Sequence, residues 1–116
     1  MNDDVTTIST LKKLMADFVA ERDWQPFHDP KNLSASIAIE AAELMEHFQW
    51  LRSDELNRVR DDAETMKAVQ EELADILAYL LSFATRMNID LASALVEKMK
   101  KNAAKYPPER YRGRFR

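Results

Sequence analysis

The sequence predicts an all-α protein, and within that class a four-helix bundle, on three observations. Apolar residues recur at spacings of three and four along most of the chain. No segment alternates apolar and polar residues with period two. The 116 residues include one glycine and four prolines, too few for a fold built on tight hairpins. The length suits a single domain covering 1–116.

The first helix is predicted from about Thr7 to Arg22, with Ile8, Leu11, Leu14, Met15, Phe18 and Val19 at helical spacing. The segment DWQPFHDP follows, and its prolines make it a loop. Asp29-Pro30 is a start signal, an N-cap with proline at the first helical position. The second helix then runs to about Leu51, with Leu33, Ile37, Ala41, Leu44, Phe48 and Leu51 on one face. Residues 52–62 are polar and suit a turn or short helix. The third helix covers about Ala63 to Met87, and only Ser82 interrupts its apolar run from Ile76 to Ala84. That run spreads around most of the helix, with Leu81 opposite Glu72, so it needs cover on several sides. An apolar strip of this kind marks a subunit contact, and a homo-oligomer is expected. Asp90 caps a fourth helix, Leu91 to Lys105, which Pro107-Pro108 ends.

Composition excludes several classes. There is no cysteine, hence no disulfide and no thiolate metal site, which fits a reducing cytoplasm. One glycine excludes Rossmann and P-loop phosphate cradles. The apolar run is far too short to span a bilayer, and Asp3 and Asp4 stand where a signal peptide carries basic residues. Neither a membrane nor a nucleic-acid partner is expected, since a net charge of −3 does not attract polyanions. The stretch 98–116 is nonetheless basic.

Two acidic pairs sit on the helices. On a helical wheel Glu40 falls beside Leu51 at the core edge, with Glu43 next to it. Glu72 and Asp75 repeat the spacing on the third helix, beside Ile76, Tyr79 and Phe83. Such pairs are common on solvated faces, where they serve solubility alone. Two of them at core edges are a different matter, because like charges one turn apart repel by about 3 kcal/mol at an effective dielectric near 20. No lysine lies one turn from Glu40 or Glu43. A hard divalent cation, Mg²⁺ or else Mn²⁺, is the relief that an all-carboxylate set selects. A di-iron bundle needs Glu-x-x-His on two helices, but Leu44 precedes His47 by three and the third helix has no histidine.

EAAE at 40–43 and ELAD at 72–75 resemble the E-x-x-E…E-x-x-D signature of the MazG-like, all-α nucleoside triphosphate pyrophosphohydrolases. FVAERDWQPFHDPKNL at 18–33, FQW at 48–50, EELADILAYL at 71–80 and KMKKNAAKYP at 98–107 are similar to its dCTP pyrophosphatase branch. The likeness covers roughly residues 10–107. It implies Mg²⁺-dependent hydrolysis of a deoxynucleoside triphosphate, dCTP or a close relative, to the monophosphate and pyrophosphate, in nucleotide-pool cleaning. Glu40, Glu43, Glu72 and Asp75 would hold the metal, with Glu43 as the candidate to take the proton of the attacking water.

Lys98, Asn102 and Lys105 share a face of the fourth helix. By themselves they read as a solvated basic end that suits the helix dipole; the resemblance makes them phosphate ligands. His28 reads either as a satisfied loop histidine or, by the W-x-x-F-H match, as a nucleotide contact. Trp24, Trp50 and Tyr79 read as core aromatics or as base-stacking residues, with Trp50 and Tyr79 preferred for the base pocket. The resemblance further implies a tetramer built as a dimer of dimers. Residues 108–116, ending in YRGRFR, resemble nothing functional in the family and are expected to form a solvated, flexible basic tail. The competing reading is a catalytically silent helical interaction module, of antitoxin or scaffold type; such a relative would be expected to have lost one or more of the acids.

Overall fold

The computed structural model describes residues 1–114, and among them every regular element is helical. Four longer helices, α1 (Ile8–Glu21), α2 (Pro30–Glu46), α4 (Ala63–Arg86) and α5 (Leu91–Lys105), are joined by short pieces. These are 3₁₀ turns at Gln25–Phe27 and Ser53–Glu55, α3 (Asn57–Asp61) and α6 (Pro108–Tyr111). The starts are set by capping side chains: Thr7 accepts from Thr10 N, Asp29 from Asn32 N, Asp62 from Glu64 N and Asp90 from Ser93 N. Asp23 and Asn88 take positive φ where the chain leaves α1 and α4, a conformation that short polar side chains tolerate.

α4 is the organising element. α2 packs along most of its length, and α1 and α3 cover two further parts. His28, just before α2, meets Ser82, while Glu40, later in α2, approaches Glu72. The two helices therefore run antiparallel. Val19, Leu33, Val59, Leu81 and Ala84 form the buried core.

The structure corrects the expected layout in several places. α2 stops at Glu46 rather than near Leu51, because the backbone tightens into turns there: Phe48 N donates to Met45 O and Leu51 N to Phe48 O. Leu81 faces α1 within the chain and is buried, so the apolar strip left bare on α4 is Leu73, Leu77 and Leu80. The all-α reading holds, but α5 does not fold back onto the other three long helices: it buries no residue, and Leu95, Val96 and Met99 are each more than half exposed. The radius of gyration reflects this, at 17.3 Å against about 13 Å for a compact chain of this length. The basic end contains α6, whose Tyr111 ring meets Tyr106 edge-to-face at 5.1 Å. Residues 115 and 116 of the expected tail lie outside the described residues.

Leu33, 1% exposed, anchors α2 within this core. Leu33→Ala is expected to cost about 2–5 kcal/mol of stability. Urea denaturation followed by circular dichroism measures it; a loss within error would mean that α2 is not held by this contact.

Candidate active site

α2 and α4 lie side by side, with Glu40 and Glu43 of α2 brought up to Glu72 of α4. Glu40, Glu43 and Glu72 each bring a carboxylate oxygen within 4.8 Å of the others. All three are half-buried, and Oε2 of Glu40 and of Glu72 are buried without any hydrogen-bond partner. No ion pair involving these acids occurs among the described residues. Asp75 is exposed and outside the tight trio, but its charge still acts on Glu40 and Glu72.

The electrostatics follow from that crowding. Burial and then the Glu43 carboxyl push the pKa of Glu40 up to about 7 from 4.5, with Glu72 and Asp75 adding to the rise. Glu72 is raised as well, first by burial and then by Glu43. Tyr79 is raised by burial and by Glu40, Asp75 and Glu43, which places its hydroxyl in the field of the cluster. Buried carboxylates in want of positive charge are what a cation site looks like without its ion. The donor set is all oxygen. Glu40, Glu43 and Glu72 would hold a hard divalent cation, which would supply the positive charge they lack.

His28 meets α4 at Ser82 and Tyr79. Its Nδ1 is 2.9 Å from Ser82 Oγ, and its ring centroid is 6.2 Å from that of Tyr79. Trp24 packs edge-to-face on Phe18 at 5.7 Å and stays 42% exposed. Trp50 is 86% exposed in the turn after α2, without a ring partner among the described residues. Trp50 is therefore not a core aromatic within one chain, because α2 ends four residues before it. Lys98, Asn102 and Lys105 lie on α5. Lys105 sits over the Tyr106 ring at 5.3 Å and Asn102 donates weakly to Met99 Sδ, so none of the three contacts the acids within the chain. Sequence reasoning passed over Gln25, Ser82 and Arg86. The available signal was that 82 and 86 continue the polar face of Glu72, Asp75 and Tyr79 at spacings of three and four.

Fold and site together define a class: an all-α protein with an acidic cleft between two antiparallel helices. The chain belongs to the MazG-like family, whose profile matches residues 35–113 and so takes in all four acids and α5. Among similar proteins, dCTP pyrophosphatase 1 of Mus musculus is 40% identical over 107 residues, 92% of this chain and 63% of the mouse protein. The Homo sapiens dCTP pyrophosphatase 1 is 41% identical over 101 residues, 87% of this chain and 59% of the human protein. The chain thus spans somewhat under two thirds of the length of these relatives. A solved pyrophosphatase from Archaeoglobus fulgidus superposes with a TM-score of 0.81 at 40% identity, covering 92% of this chain and 98% of that one.

The acid cluster has a signature in stability. Burial and its acidic neighbours push the Glu40 pKa up to about 7, above the ordinary 4.5 of a glutamate. Through that window the folded state binds more protons than the unfolded one, so Glu40 destabilises the fold progressively as pH rises. His28, whose pKa burial lowers, acts in the opposite sense below 6.5. The comparison that isolates Glu40 is therefore between wild type and Glu40→Gln. In EDTA, thermal melts are expected to show the variant gaining on wild type from acid pH to neutrality and melting higher at pH 8. Parallel melting curves would show that Glu40 carries no such strain.

Proposed function

We propose that this chain hydrolyses a deoxynucleoside triphosphate, dCTP or a close relative, to the monophosphate and pyrophosphate with Mg²⁺, and that Mn²⁺ can replace Mg²⁺. The observation that carries the reading is the convergence of Glu40, Glu43 and Glu72 with two buried oxygens lacking partners. The likeness to the mouse and human dCTP pyrophosphatases supports the nucleotide.

Glu40, Glu43 and Glu72 would hold the ion, with Asp75 at the open edge. When bound, the ion screens the triphosphate charge and favours departure of pyrophosphate. Glu43 orients the attacking water and takes its proton as the new bond to the α-phosphorus forms and the α–β anhydride bond breaks. Trp50 and Tyr79 would form the base pocket, with His28 and Trp24 as further contacts to the nucleotide. Lys98, Asn102 and Lys105 meet the phosphates once α5 is docked in the assembled protein. Among the described residues no helix is long and apolar enough to cross a membrane. A cytoplasmic role in nucleotide-pool cleaning fits these properties.

The test is pyrophosphate release from a panel of dNTPs with Mg²⁺ and with EDTA. Turnover is expected only with the metal, with dCTP best by kcat/KM. Glu40→Gln or Asp75→Asn should lower kcat/KM more than about a hundredfold while leaving the helical spectrum intact. Wild-type turnover in either variant removes that residue from the metal site, and no turnover on any dNTP favours the silent interaction module.

The working form is proposed to be a homotetramer, a dimer of dimers. The chain exposes 9530 Å², about 3,000 Å² more than a compact monomer of its mass. That excess is the size of an obligate interface. It includes Leu73, Leu77 and Leu80 on α4 and Leu95, Val96 and Met99 on α5. The melting temperature is expected to rise with protein concentration. A stable 13.5 kDa species at micromolar concentration in sedimentation equilibrium would overturn the assembly.

A further inference from the structure

Ser82 breaks the longest apolar run of the chain, and the proposed chemistry does not use it. It lies on the face of α4 that carries Glu72, Asp75 and Tyr79, one step further along. Its Oγ is 2.9 Å from His28 Nδ1 in a part-buried contact. Arg86, one turn on, donates from Nη1 to Gln25 O at 3.2 Å and ties the 3₁₀ turn before His28 to the same helix. Gln25, His28, Ser82, Thr85 and Arg86 all border a cavity of about 300 Å³.

The direction of the Ser82–His28 bond follows from the remaining partners. A serine within a helix commonly donates to the carbonyl four residues back. Ser82 makes no such bond, and His28 Nδ1 is its one side-chain partner among the described residues. With no backbone carbonyl to bind, its hydroxyl is free to donate to the Nδ1 lone pair, the arrangement in which the ring proton sits on Nε2. Nε2 has no partner among the described residues and is not closed off from solvent. Burial lowers the His28 pKa, so the ring is neutral at pH 7.

We propose that Ser82 is a positioning residue that fixes His28 as its Nε2–H tautomer, so that the ring donates a hydrogen bond to an acceptor atom of the nucleobase, such as a ring carbonyl oxygen. The inference rests on the reading that His28 meets a nucleotide, and it adds which chemical feature His28 recognises. In the other tautomer Nε2 carries a lone pair, which repels the same acceptor. Alanine at 82 removes the constraint, and threonine keeps the hydroxyl, with the adjoining cavity to take its extra methyl.

The test uses ¹⁵N-labelled histidine in the full chain. There are two histidines, His28 and His47, so His47→Gln assigns them. Long-range ¹H–¹⁵N spectra near about pH 8 are expected to show Nε2–H at His28 in the wild type. Ser82→Ala moves the ring toward Nδ1–H, and Ser82→Thr restores the wild-type pattern. In steady-state assays Ser82→Ala raises KM for the best dNTP about fivefold with kcat unchanged, and Ser82→Thr reverses the rise. An Nδ1–H ring in the wild type, or an unchanged KM in Ser82→Ala, overturns the proposal. A wild type without metal-dependent turnover defeats the proposed function and with it the nucleotide role of Ser82. The spectra then still show whether the Ser82–His28 contact itself is as described.

Discussion

Glu40, Glu43 and Glu72 are held within 4.8 Å of one another with no cation beside them, and two of their oxygens are shut off from water and from any partner. Free carboxylates would move apart. They stay because α2 and α4 pack against each other along much of their length, with Leu33 of α2 and Ala84 of α4 in the buried core. Packing thus opposes repulsion across one helix pair, and the raised pKa values of Glu40 and Glu72 record it. A divalent ion held by these carboxylates would turn that opposition into attraction and would couple its binding to the stability of the fold.

α4 carries this arrangement because its two sides differ. One face runs Glu72, Asp75, Tyr79, Ser82, Arg86, and its residues meet α2 and the loop before it. Another face, with Leu81 and Ala84, meets the chain's own core, and a third, with Leu73, Leu77 and Leu80, is left bare. A 24-residue helix is long enough to serve all three. The same rigid rod therefore fixes the acids, the His28 loop and an apolar contact surface, so a shift at one of them is felt at the others.

α5 is the long helix least held by the rest of the chain. It is capped at Asp90 and well formed, and Lys12 Nζ donates to Ile89 O just before it, which ties its start to α1. Beyond that anchor it stands away from the acidic cleft, with both its apolar and its basic residues in solvent. Forming α5 therefore does not by itself bring Lys98 or Lys105 to the acids.

Much of this protein was legible in its sequence. Periodicity gave the four long helices, and Thr7, Asp29, Asp62 and Asp90 mark their starts, because capping and spacing are local properties. The acidic pairs were visible too, since a carboxylate beside an apolar face conflicts with its surroundings wherever it occurs. Other features needed the tertiary structure. The early end of α2 depends on turn bonds at 45–51 that compete with a helical pattern able to continue. That Leu81 is covered and Leu80 bare depends on where α1 lands. The trio at 4.8 Å, with Asp75 at its edge, exists because two helices meet at one depth and one rotation. The Ser82–His28 contact joins residues 54 positions apart. Spacing along a chain fixes which residues share a face, whereas only packing decides which faces meet.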